Sequence, residues 1–242
     1  PWQTEEPSQE EEPPDNVEIT VEKPERTETK TLQLDAAPLP DWDSAAAQAA
    51  ADGCNSVAVT VKDASGQVYF DSAQPAASGA IRTESTTAAA LTAMTASDTY
   101  TIARLSCLLD PIAAKADVEG MGLKNTGGYI FYDGNNLNWL DPSKPAARQY
   151  LCGLAKELAE TGFDEILLTD VSYPTEGKLD KIAYGETGKV QNLNTFLDEM
   201  RAALAEYDVK LSIELPAAAV SEGSDSQAGL TLADIAPRVD RI

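Results

Sequence analysis

A parallel α/β fold is what this sequence predicts, and three observations carry it. The first is Gly162–Pro174 (GFDEILLTDVSYP): a glycine turn, a continuously apolar strand core Ile166-Leu167-Leu168, and a polar end closed by Pro174. A strand apolar on both faces is one covered on both, as in a parallel sheet packed with helices. The second is the spacing just before it. Ala147, Leu151, Leu154, Ala155 and Leu158 fall on one face of a helix over Lys144–Thr161, with Gly162 placed as the cap beyond its end. The third is repetition: strand-like and helix-like segments alternate to the end of the chain, which implies right-handed crossovers between parallel strands. A closed barrel and an open sheet both satisfy this alternation. In either, chemistry sits at the carboxyl ends of the strands, so Thr169, Asp170, Ser172 and Tyr173 are the first candidates.

Taken in order, residues 1–30 hold ten acidic and three basic side chains, repeated Pro and almost no core-forming residues. Such a composition buries too little apolar surface to order itself, so it reads as a disordered acidic linker, a solvated spacer or stalk. Within it Val17–Val21 (VEITV) alternates as an edge strand would. The foldable domain is 31–242. Thr31–Asp35 is a short strand, and Asp43 or Ser44 caps an Ala-rich helix that Gly53 ends. In Asn55–Asp63 (NSVAVTVKD) Val57, Val59 and Val61 alternate with Ala58, Thr60 and Lys62. In a barrel the branched set would face the helices, leaving the smaller and polar set inside with Lys62 near the mouth. Ser65-Gly66 turns the chain, and Val68-Tyr69-Phe70 continues as a hairpin arm. Ser85–Ala96 is a helix weakened by Thr.

Thr99–Leu109 is the third strand, ending in Asp110-Pro111. The excursion Ala113–Pro142 follows, rich in Gly, Asn and aromatics; a loop this long in a compact domain is usually functional or mobile. Its Tyr129, Phe131, Tyr132 and Trp139 could stack on sugar rings or pack as a lid over their own domain. Its oxygen-rich residues Asp133, Asn135, Asn136 and Asp141 read as a solvated loop rather than a calcium site. Gln191–Tyr207 is the clearest amphipathic helix, with Leu193, Phe196, Leu197, Met200 and Leu204 on one face. In Val209–Pro216 Leu211 and Ile213 alternate with Ser212 and Glu214, which puts Glu214 on the interior side near the mouth. Leu232–Ile242 is a helix followed by the start of a sixth strand.

Composition excludes several function classes. Over 242 residues the formal net charge is −22, which argues against nucleic acid and anionic membrane surfaces as partners. The sequence has no His, so Ser-His-Asp and Cys-His mechanisms are excluded and a zinc site is improbable. Cys54, Cys107 and Cys152 lack metal spacing and read as free thiols, not a disulfide framework. No cofactor and no metal is expected, and carboxylates must do any acid–base work. No stretch reaches transmembrane length, and the chain opens on Pro1-Trp2 without an initiator Met. This fits a processed protein that is extracellular or tethered to the cell surface.

Several blocks, in order, resemble a bacterial family of glycosyl-hydrolase-type TIM barrels whose function is undefined. They are Asn55–Asp63 with Ser65-Gly66, Ile102-Ala103-Arg104 with Asp110-Pro111, Trp139 with Asp141-Pro142, Gly162–Pro174, and Leu211–Leu215. The resemblance spans about Thr31 to the C-terminus and implies a TIM-barrel-like fold, of which six strands can be counted against the eight of a closed barrel. It implies action on carbohydrate as well. Hydrolysis by the usual routes needs two carboxyl groups, about 5–5.5 Å apart for retention or roughly 6.5–9.5 Å for inversion. Glu214 would be nucleophile or base and Asp170 or Asp110 the acid; Lys62 and Arg104 would orient them, with Trp139 and Tyr173 holding the sugar.

The departures bear on activity. The family's acidic positions are Thr60 and Thr169 here, its Arg is Ser172, and the Lys before Asp110-Pro111 is Leu109. Asp170 is displaced by one residue, which in a regular strand reverses its face. The resemblance therefore leaves two further expectations: a degenerate barrel that binds cell-surface or dietary glycan, and a purely structural envelope domain.

Overall fold

In the computed structural model, which describes residues 28–35 and 39–242, five parallel strands lie side by side in chain order. They are β1 (Thr31–Leu34), β2 (Ser56–Lys62), β3 (Tyr100–Ser106), β4 (Glu165–Thr169) and β5 (Lys210–Ile213). An open doubly wound sheet reverses its strand order at a switch point. This one does not, so its right-handed crossovers all fall on one face and the sheet is the arc of a barrel. Ser212 bridges Arg241 in parallel and Ile213 N–H donates to Arg241 O at 3.1 Å, so the chain returns to β5 as the start of a sixth strand. The Val17–Val21 strand and most of the acidic segment lie outside the described residues. Among the described residues no helix is long and apolar enough to cross a membrane.

The four longer helices are those the sequence forecasts: α1 (Trp42–Ala51), α2 (Ser85–Thr95), α4 (Pro145–Thr161) and α5 (Lys189–Leu204). A short α3 (Pro111–Ala116), which the sequence does not forecast, takes in the start of the excursion, and short helices also cover Ala217–Glu222 and Leu232–Ile235. In α1 the cap is Asp41, not Asp43 or Ser44: its carboxylate accepts from Ser44 N at 3.0 Å and Ser44 Oγ at 2.8 Å. The helix therefore starts earlier than the Ala run suggests, because an N-cap carboxylate bonds the amide three residues on. Helix α4 ends at Gly162 with φ +99°, as its cap position requires. Its Leu151, Leu154 and Leu158 are fully buried, each contributing about 1.5–3 kcal/mol to the layer between sheet and helices. Helix α5 buries Leu193, Phe196, Leu197, Met200 and Leu204 alongside them.

Alternation divides the sheet cleanly. Val57, Val59, Val61, Ala103, Leu105, Ile166, Leu168, Leu211 and Ile213 join the helix side chains in one core. Ala58, Tyr100, Ile102 and Leu167 form a separate small cluster on the opposite, inner face. The Val68 arm forms as expected, bridging Lys62 antiparallel and Ile81 parallel.

Two of the connections that leave the carboxyl ends of the strands, 107–144 from β3 and 170–188 from β4, meet one another. Bridges Asn125–Ile182 and Asp133–Gly177 zip them together, so the long excursion is held in place. Gly177 has φ +102°, and a Cβ there would stand 2.9 Å from Gly134 N. Backbone meets backbone at this point, and only glycine allows it. Gly177→Ala is expected to lower stability by about 1–3 kcal/mol and to part the seam. Hydrogen exchange over residues 125–135 should accelerate; unchanged protection there would refute the assignment.

Candidate functional site

The inner face of the sheet carries the polar residues that alternation sends away from the helices. Arg104 pairs in register with Thr60, and Ser106 with Thr169. Glu214 follows β5 and extends its ladder, its N–H donating to Leu168 O at 2.9 Å. Glu214 Oε2 accepts from Arg104 Nη2 at 2.7 Å; the Arg104 side chain is 19% exposed and that of Glu214 57%. A hollow of about 220 Å³ opens on this face, floored by Ala58, Ile102 and Leu167 and edged by Arg104 and Glu214.

Asp170 answers the question of parity. Its backbone is left-handed, φ +54°, a conformation uncommon outside glycine. Strand β4 ends at Thr169, and this single residue turns the carboxylate back toward the interior. Asp170 Oδ2 accepts from Ser106 Oγ at 2.6 Å and Thr169 Oγ1 at 3.1 Å, both inner-face hydroxyls. Oδ1 has no protein donor among the described residues. The one-residue displacement therefore does not move Asp170 to the helix side, as a regular strand would require.

Other candidates are placed where the sequence did not put them. The ladder shifts between Thr60 and Lys62, so Lys62 pairs with outward-facing Leu105 and leaves the mouth. Its ammonium is buried, 2.8 Å from Ser106 O and 3.1 Å from Asp110 Oδ2. Asp110 is fully buried as well and caps α3, Oδ1 accepting from Ile112 N at 3.1 Å and Ala113 N at 2.8 Å. Tyr150 stands beside that carboxylate; burial first, and the Asp110 charge second, push its phenol well above the usual range. Trp139 is buried with Nε1 donating to Asp133 Oδ2 at 2.9 Å. Tyr173 is buried too: its hydroxyl accepts from Asn192 Nδ2 at 2.8 Å, and its ring meets Tyr184 edge-on at 5.1 Å. Neither ring offers a face to a sugar as the chain stands. Arg104, Asp170 and Glu214 share the inner face at the carboxyl ends of β3, β4 and β5; Lys62, Asp110, Trp139 and Tyr173 do not join them.

Sequence reasoning missed a carboxylate. Glu165 is buried on the inner face, accepting from Tyr100 Oη at 2.9 Å and Ser212 Oγ at 2.6 Å, with Arg241 Nη1 at 3.0 Å. Its alternation with Leu167 and Thr169 was the signal. It lies at the amino end of β4, where barrels carry stability rather than chemistry.

Among the described residues, the acidic loop and the cysteines are committed to the fold. Asp133 Oδ1 accepts from Asn135 N and Leu137 N, both at 2.9 Å, and Oδ2 holds Trp139, so its oxygens organise the loop. The three cysteines are free, and burial pushes the Cys152 thiol up to about 12 and Cys107 higher still. Neither is a nucleophile at neutral pH. Carboxylates, hydroxyls and the Arg104 guanidinium are what the inner face offers. Neighbouring strands lie about 4.8 Å apart, so groups at the ends of β4 and β5 are within reach of one ligand.

Comparison with known proteins agrees with this architecture. A solved structure of a hypothetical protein from Ruminiclostridium thermocellum ATCC 27405 is similar with a TM-score of 0.65 and 27% identity, over 76% of this chain and 96% of that one. Trehalose-6-phosphate hydrolase from Bacillus licheniformis is similar in fold, with a TM-score of 0.52 and 12% identity. That match covers 80% of this chain and 45% of the enzyme, so the chain spans under half of it. No curated protein matches the sequence. Residues 41–242 match a family model outright, and the chain belongs to the family described as "Putative glycosyl hydrolase domain".

Proposed function

We propose that this domain receives carbohydrate on the inner face of its barrel arc, at the carboxyl ends of β3–β5, and holds it without cleaving it. The carrying observation is the Arg104–Glu214 pair at 2.7 Å. The best-placed acid is already engaged by a cation, and Asp170 Oδ2 is engaged by two hydroxyls. With Thr60 and Thr169 in place of acids, the face presents forked donors and acceptors suited to sugar hydroxyls. Membership of a glycosyl-hydrolase-type family supports a sugar as the ligand. An extracellular or surface-tethered setting goes with this proposal, on the acidic Pro-rich composition of residues 1–30.

A second reading, hydrolysis through Asp170 and Glu214, is favoured by one feature. The left-handed backbone at Asp170 is strained for a non-glycine residue and aims its carboxylate inward.

Calorimetry and reducing-end release, measured on the same oligosaccharide panel, separate the two. Saturable binding without release is expected, and Arg104→Ala should weaken it about tenfold by removing a charge-assisted hydrogen bond. Release that Glu214→Gln and Asp170→Asn each abolish would establish hydrolysis instead. Neither binding nor release from any sugar would overturn both readings.

A further inference from the structure

We infer that the seam between the two zipped loops is a second carbohydrate subsite, with Tyr132 as its stacking platform. This rests on the reading of the domain as carbohydrate-binding and adds a site distinct from the inner face.

The seam borders an open hollow of about 590 Å³ lined by Asn125, Ile130, Tyr132, Lys178 and Lys181, among others. That volume lies within the span of small-molecule sites, roughly 300–1,000 Å³. Both loops leave the carboxyl end of the sheet, the end on which Asp170 and Glu214 lie.

The walls are preformed. Besides the two bridges, Thr126 N donates to Lys181 O at 2.8 Å, Ala183 N to Lys124 O at 2.9 Å and Gly134 N to Glu176 O at 3.2 Å. A ligand entering therefore orders little backbone, which favours affinity. The chemistry of the wall is mixed in the way a pyranose needs. The CH-bearing face of the ring packs on an aromatic surface while its hydroxyl rim seeks polar partners. Tyr132 lies in the wall yet is 46% exposed, whereas Phe131 and Trp139 in the same excursion are buried. The Lys178 ammonium makes no hydrogen bond or ion pair among the described residues; only its carbonyl is used, accepting from Lys181 N at 2.9 Å. Lys181 is paired only with its chain neighbour Asp180, both side chains exposed, and such a pair yields readily to a ligand. Asp133 also lines the cavity, but its carboxylate is committed to the loop. Two lysine donors thus face the space beside an uncovered ring.

Tyr129, 75% exposed on the same excursion, does not line the cavity and serves as the internal control. The experiment is calorimetry of the whole chain, as wild type, Tyr132→Ala and Tyr129→Ala, against neutral hexasaccharides and oligogalacturonides. Loss of an exposed ring leaves folding intact, to be checked by circular dichroism. Tyr132→Ala should weaken binding of the best probe about tenfold, with Tyr129→Ala unchanged. A neutral probe and a uronate probe report the same pyranose contact; a uronate optimum weakened by Lys178→Ala would locate the acid group beside the lysines. If a probe binds and Tyr132→Ala has no effect, the subsite falls while the inner-face reading stands. If Tyr132→Ala and Tyr129→Ala weaken binding equally, the cavity is not the site. If no probe binds the wild type, both readings fall.

Discussion

Asp110→Asn should lose about 3–5 kcal/mol of stability, the usual consequence of leaving one partner of a buried ion pair alone. The pair is Lys62 with Asp110 at 3.1 Å, both side chains wholly buried. Asparagine still caps a helix, so the amides of Ile112 and Ala113 keep an acceptor and the loss reports on the charge. Lys62 would retain only the carbonyl of Ser106 at 2.8 Å. Lys62→Met should cost a similar amount by orphaning the carboxylate. The double variant should recover a large part of it, because the two changes act on one interaction and neighbours are not additive. Urea unfolding of the three variants gives the cycle. A loss below about 1 kcal/mol for Asp110→Asn would show the pair to be hydrated in solution. The experiment also bears on function, since Asp110 was a candidate acid from sequence. A structural Asp110 predicts reduced stability with ligand binding intact at low temperature. Lost binding with unchanged stability would return it to the site.

The sheet was legible because a strand's period of two writes its faces into the order of residues. Val57, Val59 and Val61 against Ala58 and Thr60 gave the helix side and the inner side of β2 without any coordinates. Helices α4 and α5 were legible for the matching reason, a 3.6-residue stripe of Leu, Phe and Met. What failed did so wherever a single residue breaks periodicity. The ladder shift after Thr60 carries Lys62 out of the mouth and into a buried pair. The left-handed turn at Asp170 returns to the interior a side chain that counting assigns to the other face. Neither break has a marker of composition, since an aspartate and a lysine replace no glycine or proline. For Trp139 the sequence leaves sugar stacking and lid packing both open, and it sets Tyr173 at the strand mouth; the structure buries both rings. Their partners, Asp133 and Asn192, are polar residues whose placement depends on how the excursion folds back and how α5 docks. Glu165, by contrast, is legible in its alternation with Leu167 and Thr169, which sets it on the inner face at the amino end of β4.

Gly66→Ala should destabilise by about 3 kcal/mol or more, and the size of that loss should depend on what occupies position 110. Gly66 has φ +85°, which alone costs an alanine about 1–2 kcal/mol. A Cβ there would also overlap Asp110 Oδ1 and stand 3.2 Å from Ile112 Cβ. The carboxylate cannot swing aside, because two amides of α3 and the Lys62 ammonium hold it. The turn after β2 is thus pressed against the cap of α3, and the glycine of Ser65-Gly66 is required by contact as well as by backbone. Replacing the obstacle separates the two contributions. In an Asp110→Ala background the overlap with the carboxylate disappears, so adding Gly66→Ala should cost the left-handed penalty of about 1–2 kcal/mol plus whatever the Ile112 contact adds, and so clearly less than in the wild type. An equal cost of Gly66→Ala in both backgrounds would mean that the carboxylate is free to move. The Lys62–Asp110–α3 cluster would then be looser than its hydrogen bonds imply, and Asp110 would regain a claim on the mouth.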